Sequence, residues 1–369
     1  MGIFAYPPAP IQRVPEPLNP APVLSPPAVP EGVTIIVPAF NEEASLAATL
    51  RSLAAQTVRP AEIIVVDDCS TDGTGEVART LGATVVRPPR NTGSKAGAQT
   101  FGLDFVRTPF VIAIDADTTL APDAIEILAG AFVDPGTAAA CGFVVPRRVR
   151  TIWERGRYVE YLFAFTFYKE VQEYYGKPLI SSGCFSMYRT DVLRSLGGWQ
   201  ARTLAEDMDL TWSLYRAGWE VRFVPEAVCY PIEPADLAFL RKQLRRWSHG
   251  FVQNVTLHRD GILEVPFLRS AVSVAVWDAS VAALVYLFLL PMLAVTLRNP
   301  WLLLGYVIDV PAVAVPVLVG ATARRETLRA VASLPAFFVL RTVNAVFFVS
   351  AAVREWLLGR SMLVYEKGH

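Results

Sequence analysis

Two aspartates separated by one residue, Asp115 and Asp117, directly follow the apolar run 110–114. Where a strand gives way to a loop, two carboxylates at this spacing can share a divalent cation and a nucleotide. Oxygen ligands of this kind select Mg²⁺ or Mn²⁺. The ion would hold a diphosphate and stabilise negative charge on a leaving group. An Asp-x-Asp triplet is common by chance, so its position at the end of an apolar run is what marks it as a candidate metal site.

A second pair of carboxylates, Asp67 and Asp68, closes the apolar run 63–66. Carboxylates at a strand end can accept hydrogen bonds from the N–H of a uracil or from ribose hydroxyls. The alternative is helix capping, because aspartate and serine are favoured N-cap residues. Lys95 lies in the small-residue turn 90–98 and can reach a diphosphate as a mobile charge. That turn matches neither a Walker loop nor the glycine spacing of a dinucleotide fingerprint.

Two motifs further along the chain carry acidic and then basic side chains. In the first, Glu206-Asp207, the carboxylate of Asp207 can take a proton from an acceptor hydroxyl. The same residues would also suit the capped start of a helix. In the second, Gln243 and Arg246 can bind phosphate oxygens, and the ring of Trp247 can stack on a sugar. Taken alone, this motif fits a solvated basic helix equally well.

The elements that must position these residues begin with three short apolar runs, 34–38, 63–66 and 110–114. They are rich in β-branched residues, which is typical of parallel strands buried on both faces. Helix-like stretches lie between them, so the order is β-α-β-α-β. This order predicts an α/β domain with an open, mostly parallel sheet and helices on both faces. Ligands of such sheets bind at the carboxyl ends of the strands, where the polar clusters fall.

From about residue 270 the chain becomes strongly apolar. The runs 270–297, 301–323 and 330–353 are each long enough to cross ~30 Å of hydrocarbon. Across the whole chain 53% of residues are hydrophobic and the mean hydropathy is +0.35, which is high for a purely soluble protein. Three successive runs of this length favour membrane helices over the buried core helices of a soluble domain.

Loop charge predicts how these helices are oriented. The loop 324–329 is more basic than the link 298–300, which places it and the catalytic domain in the cytosol, at the plasma membrane if the source is bacterial. The third run contains Arg341 and Asn344, so it either spans the membrane or packs obliquely along a cavity. If it does not span, the basic residues after it stay in the cytosol. The aromatic stretch 158–175 fits an interfacial helix or a buried one equally well.

Charge and cysteine usage exclude several classes of function. The 34 basic and 34 acidic residues balance, so the sequence gives no reason to expect a nucleic-acid partner. The four cysteines are too widely spaced for a zinc site or a redox pair. The N-terminus shows no charged-then-apolar leader, so we expect a domain that is not exported and holds reduced thiols. The proline-dense segment 1–31 predicts an extended lead-in.

The order of the motifs is more specific than any one of them. P-A-x-N-E, D-D-x-S-x-D, N-x-G-x-K, D-x-D, E-D and Q-x-x-R-W follow one another within residues 32–265, and the apolar helices come next. This arrangement resembles the family 2 glycosyltransferases with the D, D-x-D, D, Q-x-x-R-W signature. That branch includes cellulose, hyaluronan, chitin-oligosaccharide and poly-N-acetylglucosamine synthases. Ceramide glucosyltransferase is similar to them. The resemblance implies a GT-A (Rossmann-like) domain that transfers a sugar from a UDP-sugar to a lipid or oligosaccharide with inversion, using Mg²⁺ or Mn²⁺.

Carried over to the matching positions, the resemblance also implies a set of site residues. Asp207 is the general base, with Glu206 beside it, and Asp117 is the direct metal ligand, with Asp115 as its partner. The residues implied for the donor nucleotide and its diphosphate are Ala39, Glu42, Asp67, Asp68, Lys95 and Asp115. The residues implied for the acceptor and the diphosphate are Gly183, Cys184, Gln243, Arg246 and Trp247.

The sequence departs from this family pattern in two places. Ala205 stands where many of these synthases have threonine, and no transmembrane helix precedes the catalytic domain. Three helices fall short of a secretion channel in one copy, which favours a lipid acceptor or a short product unless copies associate into a homo-oligomer. The organisation expected is a lead-in (1–31), a cytosolic catalytic domain (32–265), a membrane region with two to three spans (266–358) and a tail (359–369).

Rival functions make different demands on the sequence. A dinucleotide-dependent oxidoreductase would carry G-x-G-x-x-G after its first strand, and that motif is missing here. A glycosidase would need a carboxylate pair but neither an Asp-x-Asp triplet nor a membrane anchor. A processive polysaccharide synthase and a non-catalytic nucleotide-binding membrane protein both remain as alternatives. Release of nucleoside diphosphate from a donor would distinguish the second of these from an enzyme.

Overall fold

The computed structural model describes residues 32–168 and 177–362 of the chain. The proline-dense lead-in predicted for residues 1–31 lies outside the described residues. The same holds for most of the predicted tail, from residue 363 onward, and for part of the aromatic stretch at 158–175.

The catalytic part is built on one eight-stranded sheet with the order β3-β2-β1-β4-β7-β6-β8-β5. Neighbouring strands β1 to β4 pair in parallel, whereas β7 pairs antiparallel with both β4 and β6. The predicted open α/β sheet is therefore confirmed, with a mixed second half. The strands are β1 Val33–Ala39, β2 Glu62–Asp67, β3 Thr84–Val86, β4 Phe110–Ile114, β5 Thr119–Leu120, β6 Thr137–Val144, β7 Phe185–Arg189 and β8 Glu220–Tyr230.

Both faces of the central strands are buried, as their near-continuous apolar sequences predict. Along β1, Ile35 and Val37 point into one apolar cluster and Ile36 into a second. Strand β4 alternates in the same way, because successive side chains of a strand point to opposite faces of the sheet. In the β1–β2 register Ala39 lies opposite Asp67. The polar residues that follow these strands are thereby brought to one edge of the sheet.

Helices cover both faces and carry the remaining site residues. Ser94 caps α3 by accepting a hydrogen bond from the N–H of Gly97, and Thr151 and Glu154 form a capping box at the start of α5. These helices are α1 Leu46–Ala54, α2 Thr74–Thr80, α3 Lys95–Leu103, α4 Ala124–Ala129, α5 Ile152–Phe163, α6 Thr190–Ser195, α7 Glu206–Arg216, α8 Leu237–Leu257 and α9 Arg259–Glu264.

Three apolar helices follow the catalytic part and are each long enough to cross a membrane: Pro266–Thr296, Pro300–Ala323 and Thr327–Leu357. We refer to them as the first, second and third apolar helix. The first begins four residues before the predicted run, because Pro266 suits the first helical position. Their regular α-helical parts are α10 Pro266–Ala283, α11 Leu290–Thr296, α12 Val310–Ala323 and α13 Thr327–Ala352.

The charged residues inside the apolar helices contact one another. The guanidinium of Arg341 in the third helix forms two hydrogen bonds with the carboxylate of Asp309 in the second, at 2.5 and 3.0 Å. Arg341 also donates to the hydroxyl of Tyr286 in the first helix and stacks over its ring. This cluster ties the three helices together.

Candidate active site

A cavity of about 920 Å³ opens at the carboxyl ends of β1, β2 and β4. Its walls come from segments that are far apart in the sequence, including the start of α7 and the first half of α8. It contains every predicted site residue except one: Ala39, Glu42, Asp68, Lys95, Asp115, Asp117, Gly183, Cys184, Glu206, Asp207, Gln243, Arg246 and Trp247.

Asp67 is the exception, and its surroundings show why. One oxygen of its buried carboxylate accepts a hydrogen bond from Arg87 at 2.7 Å, and the other accepts one from the backbone N–H of Ser70 at 2.8 Å. Asp68 faces the cavity, and its two oxygens accept from the N–H and the hydroxyl of Thr92, at 2.8 and 2.9 Å. Asp67 thus holds the end of β2, while Asp68 anchors the loop that leads into α3.

The turn after β1 is tied to the turn after β2. Asn41 adopts a positive φ of 55°, which asparagine tolerates better than most residues. Its side chain accepts a hydrogen bond from the N–H of Thr71. The N–H of Glu42 donates to the hydroxyl of Thr74 at 2.7 Å, and the Glu42 carboxylate accepts from Ser45 at 2.6 Å. These bonds fix the wall of the cavity formed by Ala39 and Glu42.

The Asp115–Asp117 pair lies at the end of β4 beside a half-buried lysine, Lys95. The ammonium of Lys95 forms an ion pair with Asp115, donates to the carbonyl of Gly183 at 2.9 Å and lies 3.6 Å from a carboxylate oxygen of Glu206. Asp117 accepts a hydrogen bond from the hydroxyl of Thr118 at 3.1 Å. Two half-buried carboxylates at the carboxyl end of a strand provide oxygen ligands that suit Mg²⁺ or Mn²⁺.

The Asp115–Asp117 pair supplies only part of the ligands that such an ion takes. Within residues 32–168 and 177–362 there is no group of three or more histidine, cysteine, aspartate or glutamate residues placed to hold a metal. A hard cation that normally takes about six oxygen ligands would therefore draw the rest from water and from a phosphate-bearing ligand. Ions bound through one or two carboxylates and substrate phosphates follow this pattern.

Asp207 lies in the first turn of α7, and its carboxylate is oriented by two backbone donors. One oxygen accepts from the N–H of Gly183 at 3.0 Å, and the other from the N–H of Met208 at 2.8 Å. The positive end of the helix dipole also favours a negative charge there. Next to it, burial raises the pKa of Glu206, opposed by Lys95, reinforced by Asp207 and opposed again by Arg246. The two neighbouring carboxylates thus have different environments.

Cys184 follows Gly183 in the same wall of the cavity. Its Sγ lies 3.9 Å from the Sγ of Cys229, and both thiols are free. The hydrogen bond with Cys229, together with burial, raises the pKa of the Cys184 thiol well above its usual value. A thiol held neutral in this way is a poor nucleophile, so Cys184 contributes shape to the site rather than reactivity.

The residues that build this site lie in a part of the chain that is similar to known proteins. Residues 34–197 match the family model described as Glycosyl transferase family 2. This part of the chain is similar to family 2 glycosyltransferase domains. The poly-β-1,6-N-acetyl-D-glucosamine synthase of Staphylococcus aureus strain COL is 28% identical over 225 residues, which are 60% of this chain and 54% of that protein. The enzyme of the same name from Staphylococcus epidermidis is 27% identical over the same shares.

The chain spans about half the length of the curated relatives it matches. Among solved structures, a mannosyltransferase from Pyrobaculum calidifontis in complex with GDP-Man and Mn²⁺ has a TM-score of 0.58 and 22% identity. The match covers 90% of this chain and 89% of that one. This match supports a GT-A-like fold for the catalytic part. The matched region extends beyond residues 34–197 into the apolar helices.

One wall of the cavity includes residues that the sequence did not single out. Arg157 of α5 is fully buried and forms ion pairs with Glu160 and Glu233. It also donates to the hydroxyl of Tyr161, and its guanidinium lies 4.3 Å from the ring centroid of Trp247. One face of the predicted sugar-stacking ring is therefore covered by an arginine. The capping box marks the start of α5 in the sequence, but no local pattern links Arg157 to Trp247.

Gln243 lies one helical turn before Trp247 on α8 and lines the same cavity. None of the described residues forms a hydrogen bond with its buried side-chain oxygen, Oε1. A buried acceptor without a donor is costly, and a ligand hydroxyl or N–H is the kind of group that would satisfy it. Gln243, Arg246 and Trp247 lie three and four residues apart, so they share one face of α8, and all three line the cavity.

Gly183→Ala tests how closely Asp207 is positioned. A Cβ at residue 183 would lie 3.0 Å from one carboxylate oxygen of Asp207 and 3.2 Å from its Cβ, so the side chain would have to move. A small misplacement of a catalytic group can cost roughly 10²-fold in rate, and we expect a loss of about that size in kcat with little change in KM. The matched control is Gly130→Ala, since a Cβ at residue 130 has no atom within 4 Å. Equal kcat values for the two variants would contradict this geometry.

Lys95→Met tests the charge balance around Glu206. Of the interactions that lower the pKa of Glu206, the one with Lys95 is the largest, so its removal should raise that pKa further. We expect the acidic limb of the pH profile of kcat/KM to move to higher pH, because Glu206 then becomes protonated at a higher pH. The control variant, Lys95→Arg, keeps the charge and should leave the limb near its original position. A shift of the acidic limb to lower pH in Lys95→Met would contradict this prediction.

Proposed function

We propose that the protein is a membrane-bound inverting glycosyltransferase that transfers a hexose or N-acetylhexosamine from a UDP-sugar to a hydroxyl group. The observation that carries the proposal is the convergence of Asp68, the Asp115–Asp117 pair, Asp207 and the α8 motif on a single cavity. These residues come from four separate elements, and no structural need of the fold requires them to face one space. The match of residues 34–197 to the family 2 model supports the same reaction class.

In the proposed reaction Asp207 acts as the general base. It accepts the proton of the acceptor hydroxyl as the hydroxyl oxygen attacks the anomeric carbon from the face opposite the diphosphate. A bond forms between that oxygen and the anomeric carbon, and the bond from the carbon to the phosphate oxygen breaks. The products are a β-glycoside and a nucleoside diphosphate. The N–H groups of Gly183 and Met208 keep the Asp207 carboxylate pointed into the cavity throughout.

The donor would lie between β1, β2 and β4. Ala39, Glu42 and Asp68 border the space proposed for the uridine. Lys95 and Arg246 supply positive charge at the other end of that space, where a diphosphate would develop negative charge as it leaves. Asp115 and Asp117 would hold a Mg²⁺ or Mn²⁺ ion, with Asp117 as the direct ligand. When bound, the ion supplies charge stabilisation for the leaving diphosphate.

The acceptor would enter from the side of α5 and α8, which face the apolar helices. The aromatic side chains of Phe165, Phe239 and Phe251 line the cavity there. A lipid acceptor or the end of a growing glycan fits this position, and Gln243 offers its buried oxygen to an acceptor or donor hydroxyl. The catalytic domain, residues 32–265, would work in the cytosol against a membrane region at residues 266–358. In a bacterium that membrane would be the plasma membrane.

A processive polysaccharide synthase is the second candidate function. It is favoured by the similarity to two poly-β-1,6-N-acetyl-D-glucosamine synthases. The two candidates share the chemistry of a single transfer and differ in whether the product stays bound for the next one. Three apolar helices per copy would suit a polymer channel only if copies associate into a homo-oligomer.

A donor panel tests the proposal directly. Membranes containing the protein would be incubated with Mn²⁺ and one of several labelled donors, namely UDP-glucose, UDP-galactose, UDP-N-acetylglucosamine and, as a base control, GDP-mannose. We expect one of the UDP-sugars to give labelled product together with free UDP. A product extracted into organic solvent identifies a lipid acceptor, and a high-molecular-weight product identifies the synthase. Transfer from GDP-mannose alone would contradict the proposed donor class.

A further inference from the structure

The third apolar helix contacts the catalytic domain at its beginning. Glu326, which precedes the first helical residue, accepts a hydrogen bond from the hydroxyl of Tyr158 in α5 at 2.9 Å. Just before it, the guanidinium of Arg324 lies 3.7 Å from the ring centroid of Phe143 in β6. These contacts place the start of the helix on the catalytic side of the molecule.

The middle of the helix also lies on the catalytic domain. The side chain of Asn344 donates to the carboxylate of Glu160 in α5 at 2.8 Å. The buried side chain of Leu340 packs with Leu240 and Leu244 of α8 in a separate apolar cluster. Glu160 lines the cavity, so this part of the helix borders the proposed active site.

The far end of the helix returns to the same domain. Glu355 accepts hydrogen bonds from Gln253 at 2.9 Å and lies 2.7 Å from the ring nitrogen of His249, both on α8. Gln253 in turn accepts from the N–H of Leu204, two residues before Glu206. The indole N–H of Trp356 donates to the hydroxyl of Thr256 at 3.0 Å. The C-terminal end of the helix is therefore bound next to the segment that leads into α7, the helix whose first turn carries the proposed base.

These contacts are difficult to reconcile with a helix that crosses the bilayer. The helix has 31 residues and spans about 46 Å at ~1.5 Å per residue. If it crossed ~30 Å of hydrocarbon, the α8 residues that bind its far end would lie at the opposite surface. The first half of α8 carries Arg241, Lys242, Arg245 and Arg246. Burying so many cations in hydrocarbon is energetically costly.

The exposed side of the same helix is apolar along its whole length. At 100° per residue its exposed large side chains fall on one stripe, opposite the face that binds α5 and α8. Exposed arginines, Arg329 and Arg354, lie near the two ends of the helix. An apolar stripe with basic ends is typical of a helix that lies in the membrane interface. The stripe consists of Leu328, Val331, Val339, Val346, Val353 and Leu357.

We propose that the third apolar helix lies along the surface of the bilayer instead of crossing it. Its apolar stripe contacts lipid, its opposite face forms part of the wall behind the active-site cavity, and both of its ends are on the catalytic side. The first two apolar helices then form a hairpin that starts and ends on that side. This inference concerns how the protein sits on the membrane and does not depend on which sugar or acceptor the enzyme uses.

Cysteine labelling with a membrane-impermeant maleimide tests the proposal. Arg325→Cys reports on the start of the helix, Arg360→Cys on the segment after its end, and Glu76→Cys on the exposed surface of α2 in the catalytic domain. Sealed vesicles of both orientations would be labelled, and the unsubstituted chain gives the background from its own thiols. We expect all three sites to be labelled from the same face, at least ten-fold above background. Labelling of Arg360→Cys from the opposite face to Arg325→Cys would overturn the proposal.

A fourth variant, Val331→Cys, distinguishes lipid from protein on the apolar stripe. If the stripe contacts lipid, this thiol should react with a membrane-soluble maleimide and resist the impermeant one. A disulfide-linked dimer after mild oxidation would assign the stripe to a second copy of the chain and contradict the lipid contact. Because labelling does not require activity, a failed donor panel leaves this result interpretable.

Discussion

Asp207→Asn is expected to lower kcat by about 10³-fold, because general-base catalysis typically contributes 10²–10⁴-fold. The amide retains the size of the carboxylate but cannot accept a proton from the acceptor hydroxyl. Since Asp207 is proposed to act on the acceptor and not to bind the nucleotide, the KM for the donor should change little. Incorporation of labelled sugar at saturating donor and acceptor measures the loss.

Asp260→Asn is the matched control for this variant. Asp260 is an exposed residue of α9 that pairs with Arg259, and it does not line the cavity. It should retain transfer within twofold of the unsubstituted protein. Retention of more than a tenth of the activity in Asp207→Asn would exclude Asp207 as the base. Glu206, whose carboxyl also borders the cavity, would then be the next candidate.

Asp117→Asn is expected to have the second largest effect. Loss of a carboxylate ligand should weaken binding of the divalent ion and of the diphosphate that it holds. Roughly 3 kcal/mol of lost transition-state stabilisation corresponds to about 10²-fold in kcat/KM. The Mn²⁺ concentration that gives half-maximal activity should rise in the variant. Activity is measured against Mn²⁺ concentration, with EDTA-treated protein as the starting point. This measurement separates weaker binding of the ion from a lower rate at saturating Mn²⁺.

The control for the metal variant is Asp123→Asn, an exposed carboxylate just before α4. Its Mn²⁺ dependence should match that of the unsubstituted protein. If Asp117→Asn kept the same half-maximal Mn²⁺ concentration as Asp123→Asn, the Asp115–Asp117 pair would not be the metal site. An unchanged half-maximal Mn²⁺ concentration together with a lower kcat would point instead to a role for Asp117 in orienting the donor.

The sheet and the location of the cavity follow from sequence because both depend on local patterns. Runs such as 110–114 are buried on both faces, and their polar ends must meet at one edge when the strands are parallel. The sequence does not separate Asp67 from Asp68. Only the structure shows that Arg87 holds the first carboxylate while Thr92 holds the second. Neighbouring residues at a strand end point in different directions, and composition alone does not tell which faces the ligand.

Other features depend on contacts between distant segments and leave no local signal. Arg157 meets Glu233 and Trp247 across more than seventy residues of sequence, and α5 reads from sequence simply as a mixed polar and aromatic helix. The mixed half of the sheet was not predicted either, because β6 is rich in alanine, which is a weak indicator of strand. Hydropathy identifies the third apolar helix correctly but carries no information about its direction relative to the catalytic domain.

The central claim is that carboxylates from distant strands gather around a divalent ion and a UDP-linked sugar. Crystals of the protein grown with UDP and Mn²⁺, measured at a wavelength where manganese scatters anomalously, test it most directly. The account predicts one anomalous peak within coordination distance of Asp117, with the diphosphate of UDP beside it and Asp207 facing the same cavity. A nucleotide and a manganese peak bound elsewhere on the protein would contradict the account.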